Sequence, residues 1–149
     1  MWEPYPNLDD AQLLALGRLT WAATRLDGVV TWICRKVPGA VYRPGQDRGQ
    51  FVQATMRANP NPSPSLQAAF DWMAEAAKAL EPRNKVLHAE SVGFLDPDGR
   101  RLDDGTLLNQ RGGPTYMSLS VEAFDEITEA IEVVYRRWRE ADLAVVTSA

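Results

Sequence analysis

The segment RNKVLH, residues 83 to 88, brings an arginine, an asparagine, a lysine and the chain's single histidine within two helical turns. An imidazole that titrates near neutrality can take the proton from a ribose 2′-hydroxyl and return one to a leaving 5′-oxygen, with no metal required. An arginine nearby supplies fixed charge and paired donors for a phosphate on which charge builds. Arg83 and His88 have the side chains for these two roles. Asn84 could orient the imidazole or bond the substrate, and Lys85 adds a positive charge for substrate binding.

At ~100° per residue, Asn84 and His88 stack on one helix face at i and i+4. Arg83 is turned from His88 by roughly 140°, a gap that its long side chain can span or that a second copy of the chain can close. Val86 and Leu87 would bury the other side of the turn, leaving Arg83, Asn84 and His88 on a common polar surface. A structural reading fits the same residues. A histidine late in a helix is favoured by the negative end of the helix dipole, and arginines are frequent in this chain. The residues alone leave both readings open.

The elements that must carry the segment are legible from periodicity. Residues 6 to 39 read as one long helix, with Leu13, Leu16, Leu19, Ala23, Leu26, Val30, Ile33 and Val37 on one stripe. Asn7 is the expected N-cap, Asp9 and Asp10 lie in the first turn, Pro38-Gly39 ends the helix, and Gly28 is a point where it could bend. A loop rich in Pro, Gly, Asn and Ser follows, with a short helix around Phe51 to Met56. Ser63 and Pro64 open a second long helix whose apolar face is Leu66, Ala69, Phe70, Met73, Ala77 and Leu80. Pro82 predicts a kink or restart near Ala79 to Glu81, which would put RNKVLH on a short final section.

From Val92 the pattern changes to Asp-Gly pairs and rough alternation, which predicts a hairpin or three-stranded flap over about 92–119. Ser120 then caps a last helix carrying Phe124, Ile127, Ile131, Val134, Tyr135 and Trp138. The fold class expected is mainly α, a helical bundle with a small β insertion before its last helix, and the whole chain 1–149 reads as one domain.

Composition narrows the function. A formal net charge of −4 argues against coating nucleic acid by charge alone, though a local basic site is compatible with it. One Cys and one His cannot make a four-ligand zinc site, and no acidic calcium loop occurs, so neither a metal nor a cofactor is expected. No apolar stretch reaches membrane-spanning length and the N-terminus is acidic, which reads as a soluble cytoplasmic protein with no membrane partner. Trp21, Trp32, Trp72 and Trp138 fit core or dimer-interface positions better than a base-stacking platform. Arg100, Arg101 and Arg111, interspersed with Asp96, Asp98, Asp103 and Asp104, read as a solvated loop. RPGQDRG at 43–49 lacks the GK[ST] of a phosphate-binding loop, and Cys34, in an apolar run, reads as buried and inert.

RNKVLH resembles the R-x4-6-H signature of the HEPN superfamily, whose arginine is very often followed by Asn. Bacterial HEPN-like proteins often continue such a motif into a hairpin before a last helix, and residues 89–120 look like that insertion. The resemblance spans most of the chain in architecture and six residues in specific motif. It implies a helical bundle that cleaves RNA without metal, as a homodimer whose two motifs face each other in one composite site. Carried over, Arg83 and His88 are the catalytic pair and Asn84 their helper. The activity implied is an endoribonuclease of toxin or defence type leaving 2′,3′-cyclic phosphate ends, with RNA as substrate and an antitoxin or regulatory protein as a further partner. The alternative is a non-catalytic domain of the same fold used for dimerisation or protein interaction.

Overall fold

The computed structural model describes residues 8–87, 106–109, 115–118 and 120–148, and these are mainly helical. Helix α1 (Asp10–Arg35) begins at a capping box. The Asp9 carboxylate accepts from the Gln12 backbone N–H at 2.8 Å, and the Gln12 side chain accepts from the Asp9 N–H at 2.9 Å. Asp9 is therefore the N-cap; Asn7, to which periodicity assigned that role, lies outside the described residues. Gly28 leaves α1 unbroken, because Leu26 and Val30 on either side are fully buried. The glycine penalty of about 1 kcal/mol is small beside their burial. The expected stripe is buried from Leu19 to Val37, whereas Leu13 is exposed. At ~100° per residue Leu13 lies roughly 140° round the helix from Leu26.

Gly39 ends the turn after α1 with φ 78°, and a Cβ there would stand 3.2 Å from the Ala58 methyl. That left-handed backbone favours glycine. Helix α2 (Arg48–Arg57) is capped by Asp47, which accepts from the Gln50 N–H at 2.7 Å. Helix α3 (Pro64–Leu87) has Pro64 at its first position and the Ser63 hydroxyl accepting from the Leu66 N–H at 3.2 Å. It runs through Pro82 as one helix, so of the kink or restart that Pro82 predicts the restart does not occur. Proline removes one backbone bond, and burial of Leu80 and Val86 anchors the helix on both sides of the loss.

Strands β1 (Thr106–Asn109) and β2 (Thr115–Ser118) pair antiparallel, with Thr106 opposite Ser118 and Asn109 opposite Thr115. Beyond them the chain forms α4 (Val121–Tyr135), capped by Ser120, and α5 (Trp138–Thr147). The sequence predicts one helix here, and the break centres on one backbone carbonyl. The Val134 carbonyl accepts from the buried Trp72 Nε1 at 2.9 Å and from the Arg137 N–H, three residues on, at 3.2 Å. A carbonyl taken up in this way is diverted from the i+4 bond that would continue the helix.

The helices form a bundle in which α1 packs against α4 and α3, and α3 packs against α4, α5 and α2. Their apolar faces meet in one core that includes Leu19, Leu26, Ile33, Phe51, Phe70, Trp72, Met73, Phe124 and Ile131. Each such side chain contributes about 1.5–3 kcal/mol on burial. Among the described residues, no helix is long and apolar enough to cross a membrane.

Candidate functional site

Position 27 of α1 is occupied by an aspartate that faces α2 and α3. One carboxylate oxygen accepts from Arg48 Nε at 3.1 Å, and the other accepts from Arg83 Nη2 at 2.6 Å. Asp27 thus links the start of α2 to the last turns of α3 across the long helix that carries it. The Arg83 side chain is 16% exposed and that of Asp27 24%. Water therefore screens this pair less than an open surface pair. Arg83 Nε is buried and finds no hydrogen-bond partner among the described residues.

These groups border a cleft of about 960 Å³. Its rim carries Lys78, Glu81, Asn84 and Lys85 from α3, with Asp47 and Arg48 from the start of α2, while Val52, Met56, Ala74 and Ala77 supply apolar wall. Four cationic side chains (Arg48, Lys78, Arg83 and Lys85) face three carboxylates, giving a local positive balance in a chain of net charge −4. The Asp27 carboxylate is engaged by two guanidinium groups, and Asp47 is committed to its helix cap, so Lys78 and Lys85 are the cations best placed to meet an incoming anion.

Three of the residues singled out in the sequence come together here. Arg83, Asn84 and Lys85 line the cleft, the first largely buried and the other two exposed. His88 lies outside the described residues, as do Arg100, Arg101 and Arg111. Val86 is buried as the periodicity requires.

Periodicity passed over Asp27, Arg48 and Lys78. Asp27 is one polar residue in an amphipathic helix, and Arg48 sits in RPGQDRG, a segment with no phosphate-loop pattern. A signal was present for Asp27. An acid held toward the interior of a bundle needs a buried cation, and Arg83 is the arginine flanked by core positions Leu80 and Val86. Among the described residues, no group of three or more His, Cys, Asp or Glu side chains could hold a metal ion.

The tryptophans divide. Trp72 is buried in the core, Trp138 is half-buried, and Trp21 and Trp32 stand exposed on α1. Cys34 is fully buried with its Sγ 3.1 Å from the Thr55 hydroxyl. Burial pushes the thiol up from its usual range, against smaller opposing effects of the Thr55 hydrogen bond and the Arg48 charge. Comparison with known proteins found no matching family model, no similar curated protein and no similar solved structure.

Proposed function

We propose that the chain is a HEPN-like helical protein acting as a metal-independent endoribonuclease of toxin or defence type. The observation that carries this reading is the convergence of Arg83, Asn84 and Lys85 with Arg48 and Lys78 on one cleft in a chain of net negative charge. A cleft with a local cationic balance suits the phosphate backbone, which supplies most of the affinity in sequence-independent nucleic-acid binding. The hairpin insertion over about 92–119 belongs to the same reading, and antiparallel pairing of Thr106–Asn109 with Thr115–Ser118 supports it.

In this mechanism His88 removes the proton from a ribose 2′-hydroxyl. The oxygen attacks the adjacent phosphorus, the 5′-oxygen departs, and a protonated imidazole returns a proton to it. The products are a 2′,3′-cyclic phosphate and a 5′-hydroxyl. Arg83 stabilises charge on the phosphoryl oxygens, and its bond to Asp27 holds the guanidinium in one orientation before substrate arrives, which favours electrostatic catalysis. In a homodimer, the Arg83 of one copy serves the His88 of the other in a composite site.

One observation favours a second reading, a non-catalytic interaction domain. Arg83 is largely buried and already paired, which is how a structural tie between helices would look. The discriminating experiment is cleavage of a mixed RNA substrate by the purified protein in excess EDTA, beside folded His88→Ala and Arg83→Ala variants. The ribonuclease reading expects cutting by the wild type and its loss in both variants. Intact RNA, or cutting that survives either substitution, would move the assignment to the interaction domain.

A further inference from the structure

The cleft has an apolar side that phosphate binding leaves unused. On α2, Gly49, Val52, Gln53 and Met56 follow one another at i, i+3, i+4 and i+7, so they share an arc of about 100°. On α3, Ala74, Ala77, Lys78 and Lys85 share an arc of about the same width. The two strips line the same cavity, and their helices pack on each other.

Small residues keep the space between the strips open. Ala74 is exposed and Ala77 half-buried. Glycine is among the least favourable residues within a helix, and neither packing nor backbone requires one at position 49. A Cβ there would meet only the Asp47 carboxylate among the described residues, at 3.5 Å, an ordinary contact, and its φ is not positive. Val52 and Met56 supply apolar wall, and a methionine thioether is a favourable neighbour for an aromatic ring. A slot with apolar walls and no bulky side chain at three of its positions admits a flat ring.

Polar groups at the edges of the slot stand unengaged. The ammonium groups of Lys78 and Lys85 and the side-chain amides of Gln53 and Asn84 have no hydrogen-bond or ion-pair partner among the described residues. An amide offers a donor and an acceptor side by side, the pattern that a base edge presents in return. Lys78 and Lys85 stand two turns, about 10 Å, apart along α3, and their flexible stems can take the phosphates on either side of one nucleotide. A cavity of about 960 Å³ has room for such a unit.

We propose that the cleft holds one nucleotide of an RNA strand by its base as well as by its phosphates. The base lies in the slot between α2 and α3, Gln53 bonds its edge, and Lys78 and Lys85 meet the flanking phosphates. This deepens the ribonuclease reading and rests on it for the strand; the slot itself makes no use of His88.

The test is isothermal titration calorimetry of the whole chain with each of the four nucleoside 5′-monophosphates and with ribose 5-phosphate, which has the sugar and the phosphate but no base. None of the five contains a phosphodiester, so binding is read apart from cleavage. At least one nucleotide should bind roughly tenfold or more tightly than ribose 5-phosphate. Ala74→Leu fills the slot from an exposed helix position with a good helix former, and should remove that advantage without weakening ribose 5-phosphate. Gly49→Leu gives the same reading should Ala74→Leu fail to fold. Gln53→Ala should narrow the differences among the four nucleotides, and Lys78→Gln should weaken all five ligands. Equal affinity for nucleotides and ribose 5-phosphate, no binding of any of the five, or a base advantage that survives in the folded slot variant overturns the proposal. A 2′-deoxy trinucleotide should bind more tightly than the mononucleotides; no gain would overturn the strand and leave a site for a free nucleotide. The two readings fail separately: RNA cutting without a base advantage retires the slot alone, and a base advantage without RNA cutting retires the ribonuclease alone.

Discussion

Asp27 and Arg83, 56 positions apart in the chain, meet at 2.6 Å where α1 crosses α3, and Arg48 approaches the same carboxylate from α2 at 3.1 Å. One carboxylate between two guanidinium groups ties three helices and fixes the direction of the arginine that faces the cleft. Replacing Asp27 by Ala leaves two partly buried cations without their acceptor, so the loss should exceed that of a surface pair: about 1–3 kcal/mol in urea unfolding. Combined with Arg83→Ala, the double variant should lose less than the sum of the single losses, since both remove one interaction. Strict additivity would show that the pair is not energetically coupled.

Trp72→Phe tests the junction between α4 and α5. The substitution keeps an aromatic ring but removes the Nε1 donor from the Val134 carbonyl, in an enclosed position. A loss of about 1–3 kcal/mol in denaturant unfolding is expected, with the slope unchanged. Hydrogen exchange should report the largest effect at Arg136 to Glu140, where the chain leaves α4 and enters α5.

Cys34 offers a pH-dependent readout. Its thiol is raised on folding by burial, so the folded state disfavours the thiolate more than the unfolded chain does. The neutral thiol's contribution to stability is therefore complete below the unfolded value of about 8.5 and is lost as pH rises through the folded value. Cys34→Ala should flatten this alkaline decline in urea midpoints. A thiol reagent at pH 8 should leave Cys34 unmodified in the native protein and label it fully in urea.

The cap of α1 gives a local test. Asp9→Ala removes the acceptor for the Gln12 N–H and breaks the reciprocal box, which should reduce stability by about 1 kcal/mol. Gln12→Ala should lose less, because the Asp9 carboxylate still accepts from the backbone at position 12. Thermal melts of the two variants give the order directly.

Helix positions were largely legible because burial follows a 3.6-residue repeat: Leu19, Leu26, Ile33, Leu66, Phe70, Met73, Phe124 and Ile131 all face the core as their spacing requires. The division of the last helix was not, since it depends on Trp72, a residue 62 positions away, bonding to the Val134 carbonyl. The cleft was half legible. Arg83, Asn84 and Lys85 are contiguous and could be read as a group, but Asp27, Arg48 and Lys78 join them through packing of three helices, a long-range relationship that local spacing does not encode. The tryptophans were read together as core or dimer-interface positions, and spacing alone did not separate buried Trp72 from Trp21 and Trp32, which lie on the face of α1 away from the core.

The chemistry proposed for this chain is an attack by a 2′-hydroxyl on the neighbouring phosphate, with His88 as proton carrier and Arg83 as charge stabiliser. It is read out in the end groups left on RNA cut by the wild-type protein in EDTA, compared with the same RNA carrying a 2′-deoxy residue at the cut position. The expected products carry 2′,3′-cyclic phosphate and 5′-hydroxyl ends, and the deoxy position stays uncut. Ends bearing a 3′-hydroxyl and 5′-phosphate, or cutting that proceeds without the 2′-hydroxyl, would rule this chemistry out.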